Sequence, residues 1–228
     1  MNHKTVEYHE YSPARPPRII IRCLANKTSD YSDISYWDER YTKDAEDTFD
    51  WFKQYPDLKQ SLAHHIPNKD SRILMLGCGN SSLSRDMYDD GYTNILNIDY
   101  SPVCIDNMTK ANESRSGMQW CVMDIRQLDL PDNSFDVAID KGTMDALLAG
   151  VRDPWNPQDS IVHDCTSEVR EVQRVLKPEP SSVFIYHTYA PPHFRKPLLN
   201  TDPDHWDLSV EKMGDWFSYF FYTLRYKD

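Results

Sequence analysis

RILMLGCGNSSLS, residues 72–84, decides the fold of this chain. Ile73, Leu74, Met75 and Leu76 follow one another without polar alternation, as a strand buried on both faces requires. Gly77 and Gly79 then let the backbone turn sharply and come close to a ligand. Beyond Asn80, Leu83 and Met87 recur at helical spacing, and Gly91 is placed to end the helix. Strand, glycine turn and helix in this order open a nucleotide-binding βαβ unit.

Downstream the elements keep alternating. NILNIDY (94–100) reads as a second buried strand ending in an acid. Ser101 and Pro102 follow as N-cap and first helical residue, with Cys104, Met108 and Ala111 on one face. MQWCVMD (118–124) is a third strand, and SFDVAIDKG (134–142) a fourth, introduced by the turn residues Pro131, Asp132 and Asn133. Ile161, Cys165, Val169, Val172 and Leu176 form a helical stripe that breaks at Lys177-Pro178 before the strand SVFIYHTYA (182–190). WDLSVEK (206–212) and WFSYFFYTLRY (216–226) are expected to pair as an antiparallel hairpin. Upstream, residues 34–66 are aromatic-rich, broken near Pro56 and helical on both sides. The pattern predicts an α/β sandwich around a mostly parallel sheet closed by a C-terminal hairpin.

A chain of 228 residues, 39% of them hydrophobic, suffices for one sizeable domain. Residues 34–228 are read as that domain, and residues 1–33, with the run RPPRIIIRCL (15–24), as an N-terminal extension of unassigned role, in which Arg18 to Arg22 is a short strand or a tethered arm. No apolar run reaches membrane-spanning length and MNHKTVEYHE is too polar for a signal peptide, so the expectation is a soluble, cytoplasmic protein with no membrane partner. Five cysteines with no C-x-x-C pair suggest reduced thiols, and neither a disulfide framework nor a metal site. A net charge of −11 argues against tracking nucleic-acid phosphates and suits a basic partner, although solubility alone also accounts for it.

Two ligand classes compete for the glycine turn. A dinucleotide wants a third glycine so that helix and strand pack over a pyrophosphate, and that position holds Ser82. S-adenosylmethionine has no phosphate; it needs a carboxylate for its ribose diol, a frame for adenine and room for an amino-acid tail. Asp99 follows the glycines by about 20 residues at a strand end, where an acid accepts both ribose hydroxyls. Asp124 ends the next strand, positioned to accept from the adenine amino group while Ile125 covers the ring. Taken singly, the glycines read as a turn and each acid as a cap. Their joint spacing favours the sulfonium nucleoside.

Further stretches carry a family resemblance: YWDERY (36–41), DWF (50–52), GYTNILNIDYS (91–101), MQWCVMDIR (118–126), DKGTMDALLAG (140–150) with DPW (153–155), SEVREVQRVLKP (167–178) and PPHFR (191–195). From residue 36 onward the chain resembles the class I methyltransferases that modify lysines of translation elongation factor 1-alpha. The resemblance implies a Rossmann-like sandwich on a seven-stranded sheet, S-adenosylmethionine as cofactor, protein-lysine N-methylation as activity, and the elongation factor as protein substrate. It also implies site residues. Trp37, Tyr41 and Trp51 would lie over the cofactor, Gly77 and Gly79 would admit its methionine part, and Asp99 with Tyr100 would take the ribose and the adenine edge. Asp124 and Ile125 would frame the base, and Lys141 would stand at the cofactor carboxylate. Without the family, the three aromatics read as core before cofactor wall, and Lys141 as a surface charge. The chain departs from the family at Glu179-Pro180-Ser181-Ser182, where a Gly-Gly turn is usual, and in its N-terminal extension.

No catalytic residue is singled out. Asp140 reads first as a strand-end helix cap or loop anchor and only then as a group that orients an incoming amine; His163, His187 and His193 lack any spacing logic and read as structural. The alternatives are a small-molecule methyltransferase on the same fold, an NAD-dependent oxidoreductase and a non-catalytic cofactor-binding scaffold.

Overall fold

A computed structural model describes residues 31–214 and 217–227. The expected arm at Arg18 to Arg22 lies outside them. Five parallel strands, β1 (Ile73–Leu76), β2 (Ile95–Asp99), β3 (Met118–Val122), β4 (Val137–Lys141) and β5 (Val183–Thr188), join β6 (Trp206–Met213) and β7 (Tyr219–Tyr226) in one sheet. Its order is β3-β2-β1-β4-β5-β7-β6, with β7 antiparallel to both β5 and β6. The expected mostly parallel seven-stranded sheet and closing hairpin are both present.

The unbroken apolar run of β1 has a direct cause. Ile73 and Met75 enter one core, beneath α1 (Ile34–Lys43), α2 (Tyr55–His65), α3 (Leu83–Asp89) and α4 (Pro102–Ala111). Leu74 and Leu76 enter the other, beneath α6 (Asp159–Val175) and α7 (Pro192–Leu199). With two apolar faces to cover, the strand has no position left for a polar residue.

Local signals act as read at α4, where Ser101 accepts a hydrogen bond from the Cys104 amide and Pro102 opens the helix. The break expected near Pro56 falls elsewhere. Pro56 sits in the first turn of α2, where proline is tolerated, and the interruption is the loop over 44–54 that precedes it. Two short helices escaped the sequence reading, α7 and α5 (Thr143–Leu147). None of the helices among the described residues is long and apolar enough to cross a membrane.

Strand order reverses between β1 and its two neighbours: β2 and β3 lie to one side, β4 and β5 to the other. A crevice opens at the carboxyl ends of strands flanking such a switch point.

Candidate functional site

A cavity of about 980 Å³, open solvent at its mouth included, occupies that crevice, and all ten residues expected from the sequence line it. The floor is the glycine turn. Gly77 and Gly79 both adopt left-handed backbone, at φ 56° and 51°. A Cβ on Gly77 would stand 2.3 Å from the Thr143 hydroxyl, so no other residue fits between β1 and α5.

Asp99, at the end of β2, is buried and accepts the Gly79 and Ser101 amides at 3.0 Å each. Burial outweighs these two bonds and pushes its carboxyl up to about 6. Each oxygen retains a lone pair for a further donor. Tyr100 and Ile125 line the wall beside it.

Asp124 is less free than expected. Arg126 donates to it from Nε at 3.0 and 3.1 Å, from Nη2 at 2.7 Å and from its own amide at 2.9 Å. Burial alone would raise the Asp124 carboxyl, but these bonds and the guanidinium charge hold it below the usual carboxylate range.

The aromatic lid comes from α1 and the loop after it. Trp37 and Tyr41 stack at 5.6 Å, and the Trp37 indole donates to the Tyr31 carbonyl at 2.7 Å. Both rings belong to the core and to the cavity wall at once. Trp51 meets them through Tyr31, its ring 5.7 Å from the Tyr31 ring.

Lys141 is neither surface charge nor free cation. Its ammonium lies 3.2 Å from Asp50 and donates to the Trp51 carbonyl at 3.0 Å, with both charged side chains only 5% exposed. Burial lowers the Lys141 pKa, and the Asp50 charge opposes that fall. Asp50 in turn accepts the hydroxyls of Ser81 and Ser82. One carboxylate therefore ties the 44–54 loop to the glycine turn and to β4.

Sequence reading missed the roles of Asp50, Tyr31 and Phe49, placed by tertiary contacts, and of Arg126, placed mainly by its neighbour Asp124. Asp50 and Arg126 had a signal, as the first residue of the DWF stretch and the last of MQWCVMDIR. Of the residues weighed as helpers, Asp140 caps α5, accepting the Thr143 and Met144 amides at 2.7 and 2.9 Å. Buried His187 stays neutral, its pKa pushed down to about 4 by burial and by Lys141, and it packs behind Phe52.

The donor set suits an adenosyl sulfonium: a buried carboxylate for a diol, a glycine turn whose backbone lies open, and aromatic faces that attract a cation. It does not suit a pyrophosphate. The α3 N-terminus, where a dinucleotide phosphate would sit, already receives the Asp50 carboxylate through Ser81 and Ser82.

Comparison with known proteins agrees with the geometry. Residues 67–214 match the family model described as methyltransferase domain. The chain belongs to that family. Over 215 residues this methyltransferase is 38% identical to EEF1A lysine methyltransferase 4 of Mus musculus, covering 93% of this chain and 81% of the relative. It is 36% identical to the Bos taurus protein of the same name, covering 89% and 78%. Among solved structures, the PH0226 protein of Pyrococcus horikoshii OT3 superposes with a TM-score of 0.55 at 20% identity, covering 87% of this chain and 95% of that one, which is a likeness of fold. S-adenosylmethionine is the cofactor of this methyltransferase.

Proposed function

We propose that this methyltransferase transfers a methyl group to a lysine side chain of translation elongation factor 1-alpha. The observation that carries the reading is kinship along most of the chain with two proteins named for that acceptor, at 36% and 38% identity. The net charge of −11 supports a basic protein acceptor over nucleic acid.

When bound, S-adenosylmethionine supplies a methyl group carried on a sulfonium leaving group. The residues of the chain then have to bind, align and dry. Asp99 accepts the ribose hydroxyls, Tyr100 and Asp124 border the adenine edge, and Ile125 covers its face. The open backbone at Gly77 and Gly79 receives the methionine portion. Trp37, Tyr41 and Trp51 set ring faces against the positive charge and keep water from the reacting atoms. Lys141 acts through its partners, holding Trp51 and Asp50 in place.

Alignment of this kind contributes on the order of 7–11 kcal/mol in favourable cases. A lysine amine, with its solution pKa near 10.4, arrives protonated; a dry aromatic channel lowers that value and frees the lone pair without a dedicated base. No catalytic residue is proposed.

Residues 34–228 are read as the methyltransferase domain and residues 1–33 as an extension. A cytoplasmic setting is supported by the free thiols of Cys78, Cys104, Cys121 and Cys165. The test is incubation of the purified protein with elongation factor 1-alpha and cofactor tritiated on the methyl group. The expected result is label on a lysine of the factor, located by mass spectrometry. Label confined to the small-molecule fraction of a lysate would replace the reading with a small-molecule methyltransferase.

A further inference from the structure

A second cavity adjoins the first, sharing Tyr31, Trp37, Trp51, Gly142 and Ala146 as walls. It encloses about 2010 Å³, open solvent included. It forms a groove open to solvent. Its rim is apolar: Phe52, Pro154, Trp155, Tyr189, Pro191 and Phe194 all face it.

Trp155 is the unusual member. It is 75% exposed, on the loop between α5 and α6, in the DPW stretch that the cofactor site leaves unused. Its indole stacks on His193 at 5.1 Å and 16°, and meets the edge of Phe194 at 4.8 Å. The ring is therefore presented on a backing. That backing is fixed, because Arg195 of α7 pairs with Asp145 at 2.8 Å and donates to the Tyr186 hydroxyl at 2.9 Å, both deep in the fold. Tyr189, half exposed, continues the apolar surface toward Phe52, whose ring lies 5.6 Å away. Phe52 itself holds left-handed backbone at φ 65°, a conformation that costs a bulky residue energy and persists where its position matters.

We propose that this groove is the docking surface for a loop of the folded acceptor protein, with Trp155 as its anchor and the target lysine reaching the cofactor past Trp51. The inference deepens the lysine methyltransferase reading and rests on it. Two observations select the occupant. The groove shares Tyr31, Trp37, Trp51, Gly142 and Ala146 with the cofactor cavity, so a side chain lying in it is next to the site of the methyl group. The −11 charge of the whole chain favours a basic partner. Exposed tryptophans on rigid backings are the residues that dominate protein interfaces.

The experiment compares wild type, Trp155→Ala and Trp155→Phe in steady-state methylation of intact elongation factor 1-alpha, with S-adenosylhomocysteine affinity measured by calorimetry on each. Trp155→Ala is expected to raise the acceptor KM at least tenfold, with kcat and nucleoside affinity within twofold of wild type, and Trp155→Phe to restore most of the loss. An unchanged KM overturns the proposal, and so does a parallel fall in nucleoside affinity, which would mark a structural defect instead. Should wild type leave the elongation factor unlabelled, the acceptor reading fails, and the three proteins are compared on whichever lysate protein wild type does label. Label only in small molecules overturns the docking surface as well.

Discussion

Asp99→Ala separates binding from folding more sharply than any other single change. The carboxylate is expected to take two charge-assisted hydrogen bonds from the ribose diol, each worth about 1.5–3 kcal/mol. Their loss weakens nucleoside binding by at least about two orders of magnitude, at 1.4 kcal/mol per decade. The effect on folding is smaller because two contributions oppose. Burial raises the carboxyl from 3.8 to about 6; at 1.36 kcal/mol per unit, deleting it relieves about 3 kcal/mol near neutral pH. The Gly79 and Ser101 amides that it holds are then left without their acceptor, at about 1–3 kcal/mol each. The net effect lies between about 1 kcal/mol of stabilisation and about 3 kcal/mol of destabilisation, so the variant folds and fails to bind.

The same carboxylate sets a pH dependence. Ribose hydroxyls donate to its ionised form, so binding needs the proton gone. With a folded pKa of about 6, only about a tenth of sites are ionised at pH 5, and wild-type affinity is expected to be about tenfold weaker there than at pH 7.5. In the free protein the folded value lies above the unfolded one, so this group's contribution to stability falls as pH rises from 3.8 to about 6. Calorimetric titration of S-adenosylhomocysteine at both pH values, beside urea unfolding, checks all of this. Affinity retained within threefold in Asp99→Ala, or a wild-type affinity flat from pH 5 to 7.5, refutes the ribose contact.

Three further outcomes are expected. Gly77→Ala drives a Cβ to 2.3 Å from the Thr143 hydroxyl at φ 56°, and urea unfolding is expected to show a loss of at least about 2 kcal/mol. Lys141→Met strands the buried Asp50 charge and is expected to destabilise by about 3–5 kcal/mol, part of which returns in the Lys141→Met, Asp50→Asn double variant; equal losses in single and double variants argue against the pairing. Glu168 is fully buried beside Asp140, and burial followed by the Asp140 charge raises its pKa well above 4.5, so the folded state keeps a proton that the unfolded chain gives up. Wild-type stability is therefore expected to decline from pH 5 to pH 8, and Glu168→Gln to flatten that decline; parallel curves would show that Glu168 ionises normally.

The strands β1, β2, β4 and β5 were legible because each buries both faces, leaving apolar runs such as Ile73 to Leu76. The Ser101-Pro102 cap was legible because its chemistry is local. Pro56 misled because proline both ends helices and opens them, and only the packing of Tyr55 and Leu58 into the core decides which. Short α5 carries too few turns for a periodic signal; its cap by Asp140 is local, but the contact of Thr143 with the Leu76 and Gly77 carbonyls joins distant stretches. Within the site, residues at strand ends could be placed from sequence because the sheet orders them. Asp50 and the true partners of Lys141 could not, since nothing within a few residues of Lys141 records that Asp50, 91 positions earlier, folds against it.

The central claim is that one adenosyl sulfonium spans the carboxyl ends of β2, β1 and β4. Its most direct test is a crystal structure of the protein with S-adenosylhomocysteine. The account predicts the ribose diol within hydrogen-bonding distance of both Asp99 oxygens, the base against Ile125 and the sulfur facing Trp51; density elsewhere, or an Asp99 carboxylate touching no part of the nucleoside, would contradict it.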